Sequence, residues 1–228
     1  MDTNQSTNLT SRLLAWYADH RRDLPWRKTR DLYHIWIAEV MLQQTQVATV
    51  IPYYERFLAR FPSVEELAAA PLDDVLKQWE GLGYYARARH LYAAACKVVA
   101  EFDGQIPDTI EALLSLPGIG RYTAGAMLSI ASGHDVPAPD GNVRRVLSRV
   151  FAITEDVSRG AGQRRLWHLA ESLLPRGRAG DFNQALMDLG ATICSPRAPQ
   201  CDACPLAEDC QAHRLGQEEQ FPTRRPRR

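Results

Sequence analysis

Four of the five cysteines fall within the 17 residues from Cys194 to Cys210, spaced Cys194-x6-Cys201-x2-Cys204-x5-Cys210. Thiolates so close in sequence can close around one metal centre without a folded scaffold between them. Spacing alone leaves zinc and a [4Fe-4S] cluster both open, because each is held by tetrahedral thiolate ligands. Buried or disulfide-bonded cysteines are the plain alternative, and an intracellular chain disfavours it. Cys96 stands apart in a helical apolar pattern and reads as core.

Two carboxyl groups also stand out. Glu39 is the only charge in Ile35-Trp36-Ile37-Ala38-Glu39-Val40-Met41-Leu42. Apolar surroundings raise the pKa of a carboxyl group, which suits a general acid; a glutamate on the wet face of a helix is the alternative. Asp140, in Pro137-Ala138-Pro139-Asp140-Gly141-Asn142, precedes Val143, Val146, Leu147 and Val150 at helical spacing and is placed to cap that helix. Backbone amides and the helix dipole are expected to keep it ionised, able to face a developing positive charge, although a purely structural cap has the same pattern. An acid and a carboxylate whose surroundings push their pKa values apart form the pair used in glycoside cleavage. Finally, Leu116-Pro117-Gly118-Ile119-Gly120-Arg121 lies between two apolar helical patterns. Gly118 and Gly120 would let the backbone approach a phosphate at the next helix start, and an ordinary tight turn looks the same.

The elements that must position these groups are helices. Apolar residues recur at helical spacing, as in Tyr84, Ala88, Leu91, Ala95, Val98 and Phe102, in Leu166, Leu169, Ala170 and Leu173, and in Phe182, Leu186, Leu189 and Ile193. Ser63 with Glu66 forms a capping box, and Asp108 marks another start before Ile110. No stretch alternates with period two, so the fold class is all-α, with about ten short helices joined by Pro- and Gly-bearing turns.

Composition sets the outer bounds. The 228 residues are 45% hydrophobic and 24% charged, an ordinary globular balance that excludes a disordered, collagen-like or coiled-coil chain. The 27 Lys and Arg match the 27 Asp and Glu, so net charge lends no support to a nucleic-acid partner. No apolar run approaches the roughly 18 residues of a membrane span, and the first residues lack a signal pattern, so a soluble cytoplasmic protein is expected.

Five blocks besides the cysteines resemble a known family in order. They are Leu24-Pro25-Trp26-Arg27, Ala38 to Val47, Gly81-Leu82-Gly83-Tyr84-Tyr85-Ala86-Arg87-Ala88-Arg89, Leu116 to Gly120, and Asp140-Gly141-Asn142-Val143. The chain resembles, over nearly its whole length, the helix-hairpin-helix, Gly-x-Asp DNA glycosylases with a terminal four-cysteine cluster, and within them the adenine-specific MutY family. The resemblance implies a two-lobed all-α helix-hairpin-helix fold, an active site in the cleft between lobes, a C-terminal [4Fe-4S] cluster loop on Cys194, Cys201, Cys204 and Cys210, and a flipped adenine. It implies removal of adenine mispaired with 8-oxoguanine or guanine, with Glu39 protonating the base and Asp140 stabilising the sugar cation. Tyr122 and Asn142 then support that pair, Arg27 and Gln184 contact the extruded adenine, Gln44 and Tyr84 enter the base stack, and Gly118 and Gly120 meet the backbone. In the related endonuclease III, a lysine two residues after the second hairpin glycine attacks the sugar. Tyr122 stands there instead, and a phenol forms no Schiff base, so base removal without strand cleavage is expected. An endonuclease III-like glycosylase and lyase acting on oxidised pyrimidines, and a non-catalytic DNA-binding module, are the rival readings. Residues 1–220 are expected to form the catalytic region, including the 194–210 loop, and 221–228 a basic tail or linker. The partner expected is duplex DNA with an adenine mispair, bound by a monomer and not by way of a membrane. The family usually carries a C-terminal Nudix-like domain that reads 8-oxoguanine. Nothing in these 228 residues can form it, and weak discrimination of the opposite base is expected.

Overall fold

The computed structural model describes residues 3–223, which form helices and no strand. The α-helices are α1 (Thr3–His20), α2 (Leu32–Leu42), α3 (Val47–Arg60), α4 (Val64–Ala69), α5 (Leu72–Gln78), α6 (Ala86–Glu101), α7 (Ile110–Leu114), α8 (Arg121–Ile130), α9 (Gly141–Val150), α10 (Gly160–Ser172), α11 (Ala179–Thr192) and α12 (Gln211–Arg214). Among the described residues no helix is long and apolar enough to cross a membrane. The chain divides into two compact units: residues 23–132 form one continuous unit, and residues 1–22 join residues 133–228 in the other.

The continuous unit is built on α2, whose residues Tyr33 and Ile35 to Met41 are all buried. A helix that is apolar all round must be enclosed, and α3, α6 and α8 pack against it. Behind it Phe57 meets Phe61 and Trp79 edge-on, with ring centroids 5.0 and 6.0 Å apart. Ser63 caps α4 by accepting from the Glu66 amide at 3.3 Å, as its spacing predicts. The start of α7 falls one residue later than expected, because Thr109 and not Asp108 accepts from the Ala112 amide, at 3.4 Å. Ala88, Leu91, Ala95 and Val98 line the buried face of α6, but Tyr84 lies outside that helix and is exposed. Cys96 is half-buried, its thiol turned toward the Ala68 carbonyl.

In the discontinuous unit α9 packs on α10, α11 and α12, and α1 packs on α11. Val143, Val146, Leu147 and Val150 form the buried stripe that their spacing announces. Two residues beyond α1, Arg22 pairs with the fully buried Asp188 of α11, Nε to Oδ1 2.6 Å. Composition reads residues 221–228 as a tail, yet Phe221 is buried and its carbonyl accepts from Arg149 Nε at 3.2 Å. The single aromatic ring supplies enough apolar area to dock this segment despite its polar surroundings. Residues 224–228, most of the expected tail, lie outside the described residues.

Candidate active site

In the continuous unit, Glu39 sits in the last turns of α2, 5% exposed. The wet-face alternative is therefore not the one adopted. Tyr122 stands in the first turn of α8, immediately after the hairpin, and its hydroxyl donates to Glu39 Oε2 at 2.6 Å. That length is at the short end for an O–H···O bond, and it fixes the rotation of the carboxyl group. The hairpin itself is present: α7 and α8 flank a turn closed by Ile119 N to Leu116 O at 3.2 Å. Gly118 must lack a side chain, because its φ is +78° and a Cβ there would lie only 2.7 Å from His90 Cβ. Gly120 caps α8 with no side chain to satisfy the first amides, and both glycines are exposed.

In the discontinuous unit, Asp140 caps α9. Its Oδ1 accepts from the Val143 amide at 2.7 Å and its Oδ2 from Asn142 Nδ2 at 3.0 Å. Sequence reasoning expects these donors to hold the carboxyl low. Desolvation by burial outweighs them, and the Asp140 pKa lies above its ordinary value; the Val143 amide, Asn142 and Arg145 pull the other way. A carboxylate stripped of water but still held by two donors interacts strongly with a nearby cation, because less solvent screens it.

Arg145 extends this network. Its Nη2 donates to Asn142 Oδ1 at 2.9 Å and to the Gly190 carbonyl at 2.7 Å, and its Nε to the Cys194 carbonyl at 2.8 Å. One turn later Arg149, 2% exposed, donates to the Ser195 carbonyl at 2.7 Å, the Pro196 carbonyl at 3.0 Å and Cys194 Sγ at 3.3 Å. Sequence reasoning missed both arginines. On a helix whose other face is apolar they look like solvated charges; Gly190 of α11, the returning cysteine loop and Phe221 supply the acceptors that hold them in.

The four cysteines line one mainly apolar cavity with Val146, Leu189, Ile193 and Leu206, and none forms a disulfide. Burial pushes the Cys204 thiol up to about 11 and that of Cys201 to about 12, where Glu218 adds to the effect. Cys201, His213 and Glu218 also bring ligand atoms within 4.8 Å of one another. Four cysteines lining one apolar cavity, Cys194 already receiving an Arg149 N–H, fit a thiolate-held metal centre.

Arg27 is half-buried at the end of the short 3-10 helix Pro25–Arg27 in the continuous unit. Gln184 is half-buried on α11 of the other unit, its amide donating to the Gly180 carbonyl at 3.2 Å. Gln44 and Tyr84 are exposed, with φ +59° and +50°. Thus Glu39 meets Tyr122, Asp140 meets Asn142, and the cysteines share one cavity.

Residues 37–172 match the HhH-GPD superfamily base excision DNA repair proteins. The chain belongs to this superfamily. Its sequence is 49% identical over 226 residues to the adenine DNA glycosylase of Rattus norvegicus, covering 95% of this chain and 44% of that protein. For the adenine DNA glycosylase of Homo sapiens the identity is 48%, covering 96% and 42%. The adenine DNA glycosylase of Buchnera aphidicola subsp. Schizaphis graminum is 44% identical, covering 89% and 58%. The chain therefore spans about half the length of these relatives. Among solved structures, a thermostable thymine-DNA glycosylase superposes with TM-score 0.85 at 34% identity, covering 93% of this chain and 99% of that one. An endonuclease III–DNA complex superposes with TM-score 0.78 at 21% identity and shares the fold. The motif resemblance to adenine DNA glycosylases and the all-α helix-hairpin-helix fold expected from it are both borne out.

Proposed function

We propose that this chain is a monofunctional adenine DNA glycosylase of base excision repair, hydrolysing the N-glycosidic bond of adenine mispaired with 8-oxoguanine or guanine. The observation that carries this reading is the 2.6 Å bond from Tyr122 to the buried Glu39 carboxyl. The position after the hairpin, where a lyase needs an amine, holds a phenol that orients an acid instead. Similarity to the adenine DNA glycosylases supports the substrate.

In this proposal Glu39 gives its proton to a ring nitrogen of the extruded adenine, and the electron pair of the glycosidic bond leaves with the base. The Asp140 carboxylate faces the sugar cation that forms. Water then adds at the anomeric carbon and loses a proton, giving free adenine and an abasic site. Asn142 and Arg145 hold Asp140 in place, and Arg27 and Gln184 contact the adenine. The exposed amides at Gly118 and Gly120 take a backbone phosphate, a contact that does not depend on net charge. Gln44 and Tyr84 enter the base stack. Cys194, Cys201, Cys204 and Cys210 would hold a [4Fe-4S] cluster, which would stiffen the 194–210 loop and break no bond itself, while Arg145 and Arg149 bond that loop to α9. The protein acts as a monomer on duplex DNA in the cytoplasm.

Duplexes carrying adenine opposite 8-oxoguanine, incubated with the protein and then treated or not with alkali, test the reading. Cleavage should appear only after alkali. Strand breaks without alkali would indicate a lyase, and intact DNA under both conditions a binding module.

A further inference from the structure

Arg87 lies in the first turn of α6, 9% exposed, and organises two loops at once. Its Nη1 donates to the carbonyls of Val40 at 3.0 Å, Met41 at 2.8 Å and Gln43 at 2.5 Å. These are carbonyls at the end of α2 that no further helical turn can satisfy. Its Nη2 donates to Thr45 Oγ1 at 3.1 Å and to the carbonyls of Leu82 at 3.5 Å and Gly83 at 3.3 Å. The guanidinium also lies 5.3 Å from the Tyr84 ring and 5.5 Å from that of Trp79. Within the loops so gathered, Gln44 and Tyr84 have φ +59° and +50°. That conformation is disfavoured for residues with a side chain and persists only where the surroundings impose it. The two side chains are nonetheless exposed, Tyr84 at 61%.

We propose that Arg87 is the positioning residue for base extrusion: one buried guanidinium sets Gln44 and Tyr84 in their left-handed conformations before DNA arrives. The inference rests on the reading that these two residues enter the base stack. Setting both loops in advance removes the cost of ordering them during binding. A planar fork of fixed donors can serve several acceptors in this way; an ammonium group cannot reproduce it.

The test compares Arg87→Lys with Gln44→Ala/Tyr84→Ala, and with the triple variant, on a duplex carrying 2-aminopurine beside a target adenine. Unstacking is followed by fluorescence and adenine release under single turnover. Arg87→Lys should slow both by about tenfold, the scale of one lost stacking contact, with affinity at matched salt within a few fold. In the Gln44→Ala/Tyr84→Ala background it should add nothing. An equal further loss there, or wild-type rates for Arg87→Lys alone, overturns the inference about Arg87. Unchanged unstacking by Gln44→Ala/Tyr84→Ala alone overturns the stacking reading instead. Should Arg87→Lys fail to fold by circular dichroism, Thr45→Val removes one acceptor and leaves the guanidinium. Its expected effect is about threefold, the scale of one hydrogen bond, and again none in the double background; an unchanged rate counts against the inference.

Discussion

Glu39 and Asp140 make opposite demands on protons in the proposed reaction. For Glu39, the proposed acid, replacement by Gln keeps shape and removes the transferable proton. Adenine release should fall at least about 100-fold, the usual contribution of a general acid, with duplex affinity nearly unchanged. Single-turnover rates beside equilibrium binding separate the two. Asp140 must be ionised to face a cation, and burial raises its pKa. Activity should therefore be lost as pH falls through a value above the ordinary aspartate range of about 3.9. Stability runs the other way. A carboxyl whose folded pKa is raised favours folding below its unfolded pKa, and that contribution is lost as pH rises through the folded pKa. A pH–rate profile with an acid limb at the ordinary aspartate value would contradict the role given to this group. Tyr122→Lys places an amine where the phenol meets Glu39. It should add strand cleavage, and borohydride should trap a covalent complex with DNA; no trapped complex would mean that position 122 does not reach the sugar.

At the scale of elements, the contact between α9 and α11 governs the Asp140 network. Gly190 of α11 leaves no room for a side chain, since a Cβ there would lie 2.5 Å from Asn142 Cβ and 3.1 Å from Asn142 Cα. Gly190→Ala must therefore push the start of α9 away, and Asn142 bonds both Asp140 and Arg145. We expect an overpacking cost of about 1–3 kcal/mol, read as a fall of several degrees in Tm. The loss of adenine release should be larger than that stability change alone produces at 25 °C. A variant of wild-type rate and lowered Tm would show that α9 shifts without moving the carboxylate. None of this is visible in one helix alone: Gly190 reads as a neutral glycine near the end of an amphipathic pattern, and its necessity arises from a partner 48 residues earlier in the sequence.

At the scale of the whole chain, the cysteine loop closes a unit whose pieces are far apart in sequence. Residues 1–22 join residues 133–228, and Arg12 of α1 reaches Glu208, 2.6 Å away, and Asp209 in that loop. Arg149 holds Ser195 and Pro196 from the other side. The metal centre proposed there is thus a structural closure, and Cys204→Ser should lower thermal stability and duplex affinity more than the single-turnover rate of bound DNA. Protein prepared without oxygen should be yellow-brown and contain iron and sulfide. Stoichiometric zinc without either would reject the iron-sulfur assignment.

The sequence by itself determined the parts whose physics is local. Helical periodicity announced the buried stripes of α9 and α11, Ser63 and Asp140 announced the caps of α4 and α9, and the two glycines announced the hairpin. Glu39 was legible because a lone charge in an apolar run is costly wherever the helix lies, and the cysteines because their spacing allows one centre without a scaffold. What the tertiary structure alone decided is which surroundings each group meets. It turned Arg87 and Arg149 from apparent surface charges into buried guanidiniums, gave Tyr122 to Glu39, and lifted the pKa of an aspartate whose cap pattern suggested the reverse. It also docked Phe221, which composition placed in a tail. The reason is common to all of them: burial and desolvation depend on segments tens of residues away, and their sign cannot be read from the neighbours along the chain.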